Sequence, residues 1–216
     1  MDLTEAMQAR HSVRQYKNKP LAQETIKTLQ AEIAACNQES GLHIQLVTNE
    51  PKAFDGFMAH YGKFSGVTNY IAMIGKKDDL DEKCGYYGER LVLLAQQLGL
   101  NTCWVAMSYS KIKTAFVVEQ GEKLCVVIAL GYGETQGVPH KSKSVDDVVK
   151  IEGEMPDWFQ RGIEAALLAP TAMNQQKFLF TLRENQVSVK PGIGFYTKVD
   201  LGIVKYHFEV GSGRRL

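Results

Sequence analysis

The chain has 216 residues, 44% of them hydrophobic and 23% charged, enough to bury a sizeable core in one domain or in two intimately packed halves. Lys+Arg number 25 against 24 for Asp+Glu, a formal net charge of +1, so no global field steers the molecule toward nucleic acid or a membrane and any anion site must be local. Cys36, Cys84, Cys103 and Cys125 make no C-x-x-C pair and no zinc-like spacing with a histidine. The N-terminus does not read as a signal peptide, and no apolar run is long enough to span a bilayer. A reducing, cytoplasmic setting with neither disulfide framework nor membrane partner is expected.

In chain order, Leu3, Ala6 and Met7 share one face of a short helix ending near Arg10. Pro20 is placed to open a second helix, with Ala22, Ile26, Leu29 and Ile33 on one stripe. His43–Val47 alternates as a strand, and 67–75 is so continuously apolar that it reads as a buried one. A long helix is expected over 81–98, with Leu91, Leu94, Ala95 and Leu98 inward and Gly99 as its stop. Thr102–Met107 reads as a short buried strand or entry loop, 111–118 as a further helix, and 124–130 as a second apolar strand closed by Gly131-Tyr132-Gly133. Residues 137–153 read as a polar connector. Asp157 can then cap a helix carrying Phe159, Ile163, Ala166 and Leu167. A polar loop over 170–176 follows, then a strand at 177–182 that 187–189 can join, and a last helix over 200–210. The order helix, loop, strand, helix of residues 21–98 is echoed in 157–210, which suggests two related halves able to pack as a dimer packs.

Four clusters could carry chemistry. Arg10-His11-Ser12-Val13-Arg14 crowds two guanidinium forks and a hydroxyl into five residues, a donor set suited to phosphate oxygens. An extended backbone would point Arg10, Ser12 and Arg14 the same way. His140-Lys141-Ser142-Lys143 is a second basic run, and together the two could hold one phosphate from both sides. No aromatic platform is interleaved with these cations, which disfavours nucleic acid. Pro170-Thr171-Ala172-Met173-Asn174 breaks a helix with small and amide-bearing residues that can lie flat on a planar ligand. Trp104, with Val105 and Ala106, stands where a strand ends, a place for ligand contact in folds of this kind. Gly131-Tyr132-Gly133 is no dinucleotide fingerprint: Gln136 stands where the third glycine is needed and Pro139 replaces a capped helix.

In this order the clusters resemble the FMN-dependent nitroreductase family. Arg10-His11-Ser12-Val13-Arg14 matches its R-[RH]-S-[VT]-[RK] motif, and Gly88, Leu93, Ala95, Leu98, Gly99 and Leu100 match its middle helix. Thr102-Cys103-Trp104 matches its T-x-W segment, Gly131-Tyr132 the end of its apolar strand, and Lys141-Ser142-Lys143 its K-x-[RK] element. Its A-P-[ST]-x-x-N-x-Q loop normally follows the second helix; here it stands at Ala169–Gln176 instead. The resemblance is therefore to a fused-half, pseudo-dimeric subgroup. It implies an α+β fold with a mixed central sheet flanked by helices. Residues 1–150 would carry the grip on the FMN phosphate, and 151–216 would supply the flavin-facing loop in cis. It further implies hydride transfer from NADH or NADPH through one FMN per chain to a small electron-poor acceptor, such as a nitroaromatic or quinone. The protein would be a pseudo-dimeric monomer or a homodimer. Arg10, Lys141 and Lys143 would hold phosphate, His11 would also bind the cofactor, and Ser12 would bond ribityl or ring oxygens, while Arg14 would tune the ring electrostatically. Trp104, Val105, Ala106, Pro170, Thr171, Ala172 and Asn174 would line the flavin, with no side chain assigned as a catalytic acid. A non-catalytic flavin sensor, a dehalogenase and a flavin-cleaving enzyme are the alternatives within the same fold.

Overall fold

A computed structural model describes residues 1–216. The first helix, α1 (Leu3–Ala9), is fixed by a capping box: the Asp2 carboxylate accepts from the Glu5 N–H and the Glu5 carboxylate from the Asp2 N–H. The second, α2 (Gln23–Ser40), starts later than Pro20, because the chain stays extended until Leu21 has reached the core. It ends at Gly41, whose φ of 72° few other residues adopt at no cost.

Four strands, β1 (Gln45–Val47), β2 (Asn69–Lys76), β3 (Asn101–Val105) and β4 (Glu122–Gly131), form an antiparallel sheet in the order β1-β2-β4-β3. Both faces of its central strands are buried, which is why they read as unbroken apolar runs. Ile71, Met73, Val126, Ile128 and Leu130 pack on one face under α2 and α4 (Leu80–Gln97). Tyr70, Ala72, Ile74, Val127 and Ala129 pack on the other, against Phe54, Phe64 and Phe116 from the irregular segments that include the short α3 (Phe57–Tyr61). The helix expected over 111–118 does not form. Eight residues with β-branched Val117 and Val118 cannot meet the cost of helix nucleation alone. The segment is instead pinned by Phe116 in the core and by the Gln45 carboxamide, which bonds both backbone groups of Val117.

The remaining strands, β5 (Val149–Ile151), β6 (Phe178–Arg183) and β7 (Gln186–Pro191), make a second sheet, with β5 parallel and β7 antiparallel to β6. The α+β class expected from sequence holds, with the strands divided between two sheets. The mixed sheet is the smaller one, and β5 lies inside the stretch read as a connector. Helices α5 (Asp157–Ala166) and α6 (Thr197–Ser212) cover it through Phe159, Phe180 and Phe208, with Phe180 and Phe208 stacked at 4.8 Å. Asp157 is the first residue of α5 and not its cap. Pro156 holds the cap position, and Asp157 contributes only its charge near the helix N-terminus. No helix is long and apolar enough to cross a membrane.

Residues 1–150 and 151–216 meet where α4 crosses α6. A Cβ on Gly85 would overlap the Val199 carbonyl and crowd the Ile203 amide; one on Gly202 would overlap the Glu82 carbonyl and crowd the Tyr86 amide. Each glycine thus faces the carbonyl three residues before the other and the amide one residue after it. That reciprocity is the relation a local two-fold axis imposes. The order α2-β1-β2-α4 is matched by α5-β6-β7-α6, and both strand pairs are antiparallel.

Candidate functional site

The segment after α1 is laid across the ends of β3 and β4 as an irregular extra strand. The Val13 N–H donates to the Thr102 carbonyl at 3.0 Å, the Ser65 N–H to the Arg14 carbonyl at 3.0 Å, and Tyr16 bridges to Gly133. Gly131-Tyr132-Gly133 is there for this approach: a Cβ on Gly133 would stand 2.9 Å from Val13 Cγ1 and 2.7 Å from Asn101 Oδ1. Extended backbone buries Val13 and turns Ser12 and Arg14 outward. Arg10 does not join them. It sits at the end of α1, only 3% exposed, with no partner for its Nε. Burial pushes its pKa down, opposed by the neighbouring Glu89 and Cys103. His11 is also pushed down, first by burial and then by the charges of Arg10 and His140.

Ser12 and Arg14 open into a cavity of about 620 Å³ between the two halves. The first half contributes Cys103, Trp104, Val105, Ala106, Met107 and Ser108. From the second half come Pro170, Thr171, Ala172 and Met173, the Gly194-Phe195-Tyr196 turn, and Val199, Asp200 and Ile203 of α6. The size suits a cofactor or small-molecule site. A smaller cleft of about 390 Å³ continues from it past Arg14 to Tyr61, Lys63 and Phe64. The Arg14 guanidinium carbon lies 5.9 Å from the Phe64 ring centroid. Trp104 is held from behind by Glu89, whose Oε2 accepts from Nε1 at 3.0 Å. The other Glu89 oxygen meets His207 Nε2 at 2.9 Å in full burial, and His207 Nδ1 donates to the Ala165 carbonyl at 3.0 Å. Burial also pushes the Cys103 thiol up, against the opposing pull of Arg14.

Of the residues singled out from sequence, the cavity brings together Ser12, Arg14, Trp104, Val105, Ala106, Pro170, Thr171 and Ala172. Arg10, His11, Lys141, Lys143 and Asn174 stand outside its walls. The basic run is stitched to the second half. Lys143 Nζ donates to the Gln176 carbonyl at 2.9 Å, Asn174 Nδ2 donates to the Lys141 carbonyl at 2.9 Å, and Ser142 Oγ donates to the Leu167 carbonyl at 3.1 Å. Sequence reasoning missed Asp200, Gln175 and the 194–196 turn. The available signals were an acid in a helix's first turn and exposed aromatics in a glycine-rich loop.

The family model described as "Putative TM nitroreductase" matches residues 2–212. No curated protein matches the chain. Among solved structures, the "putative nitroreductase (tm1586)" of Thermotoga maritima MSB8 aligns with TM-score 0.65 at 21% identity, over 98% of this chain and 83% of that one. The "Putative NADH dehydrogenase/NAD(P)H nitroreductase" of Parabacteroides distasonis ATCC 8503 aligns with TM-score 0.54 at 21% identity, over 68% and 95%. A nitroreductase family protein of Streptococcus pneumoniae TIGR4 aligns with TM-score 0.53 at 14% identity, over 69% and 99%.

Proposed function

Because the chain belongs to the "Putative TM nitroreductase" family of nitroreductase-like oxidoreductases, we propose that it is a cytoplasmic FMN-dependent enzyme. It would carry hydride from NADH or NADPH to a small electron-poor acceptor such as a nitroaromatic or a quinone. The observation that carries this reading is the cavity between the halves, with Arg14 as its one cation and without any side-chain ion pair. When bound, FMN supplies the two-electron hydride chemistry, and the protein's task is to bind, orient and tune.

The residues present fit such a group. Val105, Ala106, Pro170, Ala172, Val199 and Ile203 offer apolar walls to a planar ring and keep water from it, while Ser12, Ser108 and Thr171 offer hydroxyls to its polar edge. Arg14 places a positive charge where a reduced, anionic ring is favoured. Arg10, with a buried Nε lacking any partner, stands with His11 at the base of the same segment, where an oxyanion would satisfy it. Lys141 and Lys143 would reach the same oxyanion only from the connector, where Lys143 Nζ donates to the Gln176 carbonyl. Because both walls come from one chain, one site per chain is expected.

The test is a visible absorption spectrum of the purified protein and the FMN released per chain on denaturation, followed by NADH and NADPH oxidation with a quinone and a nitroaromatic. Flavin bands, about one FMN per chain and acceptor-dependent oxidation support the proposal. A colourless protein that takes up no added FMN removes it, and bound flavin with no turnover leaves a flavin-binding protein.

A further inference from the structure

Asp200 is the one carboxylate lining the cavity, and it is 3% exposed. Its Oδ1 accepts from the Ala172 N–H at 2.8 Å and its Oδ2 from Gln175 Nε2 at 2.7 Å. The same Gln175 nitrogen donates to the Phe195 carbonyl at 2.7 Å. Both its partners are acceptors, so the carboxamide has a single workable orientation. Its oxygen then lies against Gly194, where any Cβ would overlap it. One acid and one amide thus join α6 to the 170–176 loop and to the 192–196 loop.

These loops line the cavity, and each has ties of its own: Asn174 and Gln176 bond to the Lys141 carbonyl, the Gly192 N–H donates to the Lys177 carbonyl and Lys177 Nζ donates to the Ile193 carbonyl. Met173, Asn174, Gln176 and Tyr196 have φ of 52°, 53°, 45° and 57°, left-handed values that side chains disfavour. Met173, Ile193 and Phe195 are 92%, 97% and 79% exposed, so little burial secures the tips. Asp200 and Gln175 add the bonds that tie these two loops to α6 and to one another.

We infer that Asp200 is the positioning residue of the cavity mouth: with Gln175 as relay, it holds the 170–176 and 192–196 loops closed over the occupant of the cavity. That the occupant is FMN rests on the function proposed above; the tie between the loops does not.

The experiment uses the full chain, wild type and carrying Asp200→Ala, Gln175→Met or Asp200→Asn. Amide hydrogen exchange is followed without flavin, with α2 as internal reference, and FMN dissociation is followed by fluorescence. Asp200→Ala should speed exchange in both loops roughly tenfold, the equivalent of about 1.4 kcal/mol of lost bonding. Asp200→Asn keeps an oxygen for the Ala172 N–H but turns an N–H toward Gln175. It should spare 170–173 and loosen 192–196, a split that a merely structural role would not give. Gln175→Met, at a half-buried site, loosens 192–196 and keeps the test alive if Asp200→Ala fails to fold. FMN should leave the loosened variants roughly tenfold faster. Unchanged exchange in every variant overturns the inference, and so does loosened exchange with unchanged FMN dissociation. Loosened loops in a protein that binds no FMN in any form uphold the tie and sink the cofactor reading instead.

Discussion

The indole of Trp104 has little freedom, and the cavity wall depends on it. Glu89 fixes its Nε1, and its six-membered ring fills the space where Gly88 has no side chain. A Cβ at residue 88 would overlap that ring, and the half-buried indole, tethered to Glu89, is not free to swing aside as an exposed side chain does. Gly88→Ala should cost about 1–3 kcal/mol in chemical denaturation. It should also shift tryptophan emission and weaken FMN binding, whereas a purely local packing defect would leave the last unchanged. Asp200 offers a second residue-scale prediction, with its sign set by linkage. Burial, outweighing the bonds from Ala172 and Gln175, pushes its carboxyl from 3.8 to about 6. The folded state then holds this proton more tightly than the unfolded chain. Its contribution to stability is full below about pH 4 and is lost as the pH rises through about 6. Because Asp200→Asn cannot titrate there, wild-type stability measured against that variant should fall between pH 4 and 7. The fall should be at most about 3 kcal/mol, at about 1.4 per pKa unit. A flat difference across that range would mean that the site is more open to water than its burial indicates.

At the scale of elements, the crossing of α4 and α6 sets where the cavity's two walls stand. Either Gly85→Ala or Gly202→Ala forces a methyl into the opposing backbone, which cannot rotate away, and should cost at least the upper part of about 1–3 kcal/mol. Since one outward shift of the helices relieves both clashes, the double variant should be less destabilised than the sum of the singles in thermal melts. Gly88 and Gly99 were legible as motif members and Gly99 as a helix stop, but Gly85 and Gly202 were not, because the reason for each lies on the other helix. The apolar runs of β2 and β4 were legible because burial on both faces leaves its mark on every residue. Ser12, Arg14 and the 170–172 stretch were legible as motif members. The inward turn of Arg10 was not, because an alternation argument assumes a continuous strand and Arg10 is the C-cap of α1, its N–H still bonded to the Ala6 carbonyl. The helix expected at 111–118 does not form; Ile112, Ala115 and Phe116 pack on the core from a loop instead. Asp200 stood out in sequence only as the start of the last helix, and its task comes from partners distant in the chain, Ala172 and Gln175.

For the whole molecule, the proposed division near residue 150 would give two halves that share one site. The reciprocal glycines and the matched order of elements support a pseudo-two-fold pair within one chain, and the cavity lies between the members of that pair. The second half also reaches back across the division: β5 pairs in parallel with β6, and residues 140–143 bond to Leu167 and Gln176. The peptide link itself should therefore be dispensable once the chain has folded. Gly153 is the place to cut, being exposed with φ of 95° and open space on its Cα. A protease site inserted there and cleaved should yield two fragments that elute together in gel filtration. They should separate only in denaturant, because the α4–α6 crossing, the β5–β6 pairing and the connector bonds all span the cut. If the nicked protein also keeps FMN at the affinity of the intact chain, the site is a property of the interface between the halves. If the fragments part without denaturant, the halves are joined mainly by the chain, and the cavity between them would need the covalent link to persist.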